Sequence, residues 1–86
     1  MMNNKVLVKL IIPGFDDSYD VFIPVNEVVW KVKKMLLKSV QDLGGITVDN
    51  TEYVMLNKSN SRVYNNNDII VDTDIRNGTE LILMPL

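Results

Sequence analysis

Alternation is the strongest pattern in the chain. The run KVLVKLII, Lys5 to Ile12, is rich in β-forming residues and stops at Pro13-Gly14, a turn signal, just before Asp16-Asp17. YDVFIPV, Tyr19 to Val25, alternates again, so the two runs predict a β-hairpin with a loop of about six residues. Lys9 and Asp20 mark its wet face. On that register Val6, Val8 and Leu10 point inward with Tyr19, Val21 and Ile23, while Leu7, Ile11 and Phe22 point the other way.

The period then changes to that of a helix. Asn26 is the expected N-cap, Glu27 falls in the positive-end first turn, and Gly44-Gly45 supplies the left-handed stop. Turning about 100° per residue places Val29, Val32, Leu36, Val40 and Leu43 on one stripe, with Lys31, Lys34 and Lys38 nearly opposite. Trp30 and Leu37 fall on one flank of the stripe, Val28 and Met35 on the other. Beyond the helix, EYVML (Glu52 to Leu56) reads as a strand, NKSNS as a turn, RVY as a short partner strand and NNND as a loop. Asn77-Gly78 marks a tight turn before a final strand, TELILM, with Leu81 and Leu83 inward. No internal repeat or linker interrupts this order.

At 86 residues, the length fits one domain, residues 1–86. A domain so small buries only about 60% of its unfolded surface, and a hydrophobic content of 47% is close to what folding alone requires. Composition narrows the chemistry further. There is no cysteine and no histidine, which removes disulfides, thiolate nucleophiles, the commonest general base and the commonest metal ligands. No pair of carboxylates stands out as acid and base, so no catalytic residue, cofactor site or metal site is assigned. A net charge of -2 gives no pull toward nucleic acid. No apolar run reaches the about 18 residues of a membrane span, and the N-terminal stretch lacks the small-residue cleavage site of a signal peptide. The expected location is the cytoplasm.

A hairpin, one amphipathic helix, then short strands with a last strand returning to the centre is the order of an α+β, β-grasp (ubiquitin-like) fold: a mixed sheet of type ββαββ plus short elements. IPVNEVVWKV resembles the ubiquitin passage from the second strand through a proline into the helix. NDIIVDTDIRNGTELIL resembles its passage from a loop acid to the last strand. More closely, YDVFIPV before a long apolar helix, followed by Asn67, Asp68, Asp72, Ile75, Gly78, Leu81 and Leu83 in their spacing, resembles the YukD/EsaB family. These are small ubiquitin-like accessory proteins of Gram-positive type VII secretion systems. The resemblance spans Lys5 to Met84, but its motifs are structural, so it specifies fold more sharply than activity.

The resemblance implies a non-catalytic, non-conjugated protein that works by binding other proteins, membrane-associated secretion components among them. A conjugated modifier presents two glycines on a thin, flexible end. Here the sequence reads Met84-Pro85-Leu86 beyond a strand that should be locked in the sheet, and Pro85 stiffens it. The alternative is a modifier or sulfur carrier activated at a processed C-terminus, which the absence of a late Gly-Gly disfavours.

Two surfaces are candidates for protein binding. The sheet face away from the helix should collect Leu7, Phe22, Val54, Ile82 and Met84, with Lys9 and Glu80 between them, and a protein partner or a homodimer would cover it. Trp30 and Leu37, with Lys31, Lys34 and Lys38, form the second. Aromatics anchor interfaces, yet the expectation here is that Trp30 and Leu37 tuck beneath the loop from Gly45 to Thr51 and that the lysines form a solvated helix back. Asp68, Asp72 and Asp74 lack the glycine and bidentate glutamate of a calcium loop and read as turn residues. Tyr19, Tyr53 and Tyr64 read as packing residues.

Overall fold

The computed structural model describes residues 4–14, 17–44 and 52–86. The elements are β1 (Lys5–Ile11), β2 (Ser18–Pro24), α1 (Val29–Gly44), β3 (Tyr53–Asn57), a single 3-10 turn (Ile70–Asp72) and β4 (Glu80–Pro85). The strands form a mixed sheet in the order β2-β1-β4-β3. β4 runs parallel to β1 and antiparallel to β3, and β1 and β2 form an antiparallel hairpin. This is the α+β arrangement expected from the sequence, with the chain's last strand inserted at the centre.

The hairpin register follows from alternation. Leu7 stands opposite Phe22 and Lys9 opposite Asp20. Val8, Leu10 and Ile23 are therefore turned to the other face, where they are fully buried with Met55, Leu81 and Leu83. A register slip of one residue would exchange these two sets and drive Lys9, Asp20 and Glu80 into the core. From the helix, Val29, Val32, Leu36 and Val40 complete the same cluster, together with Ile70, Ile75 and Tyr64. The side chain of Leu43 and the stop at Gly45, both expected from the pattern, lie outside the described residues.

The helix begins later than the cap pattern predicts. Asn26 sits in a turn, and α1 starts at Val29, so neither Asn26 nor Glu27 occupies its expected capping position. Tertiary structure supplies the cap instead. The Val29 amide donates to the Asp68 carbonyl (2.8 Å) and the Trp30 amide to the Asn66 carbonyl (3.1 Å), so the asparagine-rich loop satisfies two of the amides a helix start leaves open. Val28 forms an isolated bridge with Ile69 just before the helix, which ends the possibility of an earlier start. Glu27 is left one turn from Lys31, at 3.9 Å.

RVY also differs from its expected form. It contributes one isolated bridge, Val63 to Leu56, rather than a strand. The stretch is held by the Tyr64 amide on the Met55 carbonyl and the Asn57 amide on the Arg62 carbonyl. Asn77-Gly78 is a turn as expected, with Gly78 at φ +88°, where a side chain is disfavoured.

Candidate interaction surfaces

The open face of the sheet is built by the strand positions that the core does not use. Leu7, Phe22 and Met84 are exposed there, at 37%, 57% and 37%, and Val54 and Ile82 are half-buried. The structure thus puts all five expected residues on one side of the sheet. Pairing adds Ile11, which lies beside Ile82, and Leu56, which lies on Ile82's other side, with Val63 next to Leu56. Of these three, alternation gives the facing of Ile11 alone, and their adjacency depends on the pairing of β4 with β1 on one side and β3 on the other.

The same pairing arranges the polar residues of this face into a line. Asp20 on β2 stands beside Lys9 on β1, Lys9 beside Glu80 on β4, and Glu80 beside Lys58, whose ammonium lies 3.5 Å from the Glu80 carboxylate. Charges alternate minus, plus, minus, plus across the sheet. The row divides the apolar residues into two groups: Phe22 with Leu7 on one side, and Ile11, Ile82, Leu56, Val54 and Met84 on the other.

Leu7 is fixed from the far end of the chain. Its amide donates to Asn77 Oδ1 (2.8 Å), and its carbonyl accepts from the Gly78 amide (2.8 Å). The turn before β4 therefore clamps the start of β1, above the point where parallel pairing begins at Lys9. At the other end, Tyr53 pairs with Pro85 and the Leu86 amide donates to the Glu52 carbonyl (2.9 Å), so residues 84–86 run along β3.

The second candidate surface lies on the flank of α1. Trp30 is 41% exposed, which corrects the expectation that it tucks into the core, whereas Leu37 packs partly against the core. The part of that expectation that concerns Gly45 to Thr51 lies outside the described residues. The Lys31 and Lys34 ammonium groups stand 5.6 and 5.7 Å from the Trp30 ring centroid, within cation–π range. Lys38 is exposed one turn further on. A cavity of about 350 Å³ opens here, lined by Trp30, Lys33, Lys34, Leu37, Glu52, Tyr53 and Asn66. Lys33 donates to the Tyr53 carbonyl (2.8 Å), and partial burial lowers its pKa against the opposing pull of Glu52. Opposite charges thus line the rim.

A polar cluster that the pattern did not reveal ties the turn after β3 to the stretch before β4. The buried Tyr64 hydroxyl donates to Asp74 and accepts from Asn57 Nδ2, Asn60 Nδ2 donates to the second Asp74 oxygen, and Arg62 lies 3.8 Å from Asp74. Each of these side chains has a partner within the cluster, which ties the two segments together. Among the described residues no group of three or more acidic, histidine or cysteine side chains could hold a metal, and no helix is long and apolar enough to cross a membrane.

Comparison with known proteins agrees on the fold. No family model matches the chain, and no curated protein matches it. Solved structures do. A chain of the toluene 4-monooxygenase HD complex superposes with a TM-score of 0.80 at 6% identity, over 95% of this chain and 99% of that one. The ubiquitin-like domain of Plasmodium falciparum Dsk2 gives 0.72 at 16% identity, over 95% and 99%. A chain of the ESX-5 inner membrane complex gives 0.75 at 15% identity, over 98% of this chain but only 21% of that much longer one. The fold is ubiquitin-like. At such identities the likeness extends to the fold and no further.

Proposed function

We propose that this chain, a single domain over residues 1–86, acts by non-covalent protein–protein binding through the open face of its sheet, as an accessory or regulatory component of a type VII secretion system in the cytoplasm of a Gram-positive bacterium. The observation that carries the reading is the apolar sheet face, with Phe22, Leu7 and Met84 exposed on paired strands. Scattered apolar residues are ordinary on protein surfaces, but two apolar groups flanking a charged row on one sheet face support a binding role. The secretion role is supported by the resemblance of the sequence to the YukD/EsaB family and by the ubiquitin-like fold shared with part of an ESX-5 inner membrane complex chain. A non-catalytic role is supported by the composition, which contains no histidine and no cysteine. Placement of residues 84–86 along β3 favours binding over activation of that stretch.

The test is capture from a native lysate that retains membranes, with partners identified and the chain weighed intact. The expected result is an unmodified chain bound to secretion components, and loss of those components with Phe22→Asp plus Ile82→Asp while the far-ultraviolet spectrum stays native. Recovery of a covalently extended chain would replace this reading with that of a modifier. Unfolding of the double variant would mean that these side chains belong to the core.

A further inference from the structure

We infer that the open sheet face of this protein is self-complementary and that its occupant in the isolated protein is a second copy of the same chain, docked face to face with the strands of the two sheets in the same direction. The inference rests on the reading above that this face is a binding surface, and it names the partner.

The order of charges specifies the second copy. Across the sheet the row runs Asp20, Lys9, Glu80, Lys58, with alternating sign. Turning a second copy by a half rotation about an axis parallel to the strands, and laying it on the first, reverses the row left to right. Asp20 then meets Lys58 of the second copy, and Lys9 meets its Glu80. Each contact occurs twice, as a two-fold interface demands. Rotation about an axis along the row would instead set every charge against its own kind. Like charges brought together in an interface are strongly unfavourable, so the row permits one face-to-face arrangement and rejects the other.

Part of the apolar surface agrees with the permitted arrangement, whereas by the same register Leu56 comes over Ser18 and Phe22 over the turn that follows β3. Ile11 and Ile82 are neighbours on β1 and β4, and the same rotation places Ile11 of one copy over Ile82 of the other. On the far side of the row, Leu7 comes over Gly78, which is its neighbour through the Gly78 amide and carries no side chain to obstruct it. The face is small. Four strands about 4.8 Å apart span less than a standard interface, so the association should be weaker than about 1 µM and driven by concentration. A heterologous protein at this face would have to displace the second copy.

Sedimentation velocity across concentrations reaching millimolar, at low salt, tests this with a pair of charge reversals. The wild-type chain should shift from monomer to dimer as concentration rises. Lys9→Glu alone and Glu80→Lys alone should each lose at least about tenfold in association, because each sets two like charges opposite one another. An equimolar mixture of the two variants should recover dimer, since the two reversed charges then face each other across the interface and every other contact stays opposite in sign. Far-ultraviolet spectra report whether each variant folds. Asp20→Lys with Lys58→Glu forms a second pair with the same logic. A wild-type chain that remains monomeric at millimolar concentration, single variants that associate like the wild type, or a mixture that stays monomeric would each overturn the inference. If secretion components are still lost on Phe22→Asp plus Ile82→Asp in that event, the binding face stands and only the second copy is excluded.

Discussion

The Tyr64 hydroxyl lies 2.5 Å from Asp74 Oδ1, joining a side chain that is 4% exposed to a carboxylate at the surface of the same cluster. That hydrogen bond also places Asn57 Nδ2 3.2 Å from the hydroxyl oxygen, in a residue that is itself buried. Tyr64→Phe keeps the ring and removes only the oxygen. It leaves the Asn57 amide without this acceptor and should cost about 1–3 kcal/mol, read as a lower urea midpoint with an unchanged slope.

The same pair contributes to the pH dependence of stability. The hydrogen bond from Tyr64, aided by Asn60 and Arg62, holds the Asp74 pKa below its usual value despite some desolvation. A depressed folded pKa stabilises the protein above the unfolded value, and that stabilisation is lost as pH falls through the folded one. Burial, with help from Asp74, pushes the Tyr64 pKa up to about 12. Its contribution is present below the ordinary tyrosine value of about 10 and is lost as pH rises toward 12. Urea midpoints measured against pH should fall at both ends, and Tyr64→Phe should flatten the alkaline fall and reduce the acid one.

Gly78 stands at φ +88° with open space where a Cβ would go. Gly78→Ala therefore creates no clash and costs only backbone strain, about 1–2 kcal/mol. Asn77→Ala should cost about 1 kcal/mol for a different reason, the loss of the acceptor for the Leu7 amide. Hydrogen exchange separates the two mechanisms: the Leu7 amide should exchange faster in Asn77→Ala by more than the global loss of stability explains.

Leu36 is fully buried and its neighbour Met35 is exposed on the same helix. Leu36→Ala should cost about 2–5 kcal/mol, and Met35→Ala less than about 0.5 kcal/mol. Equal costs in denaturant titrations would mean that the helix is rotated from the face described.

Trp30 is the sole tryptophan, so its fluorescence reports one site. An exposed indole flanked by the Lys31 and Lys34 ammonium groups should be quenched more strongly by iodide than by caesium at low salt. Lys31→Gln plus Lys34→Gln should reduce that difference.

The sequence by itself determined the facing of nearly every strand and helix residue, because periods of two and 3.6 assign each position to a face wherever the elements lie. Val8, Leu10, Leu36, Leu81 and Leu83 were all legible as core in this way. It also determined which chemistry is available, since the absence of histidine and cysteine depends on no arrangement. What it could not determine were relations between segments far apart in the chain. The start of α1 at Val29 was decided by carbonyls of the loop at Asn66 and Asp68, which outcompeted the local cap at Asn26. The exposure of Trp30 was decided by how the helix sits on the sheet. The alternating row from Asp20 to Lys58 exists only because β4 returns between β1 and β3, bringing Lys9 beside Glu80. Facing is a local property of backbone geometry, whereas adjacency is decided by the pairing that buries the common core, and only the tertiary structure contains it.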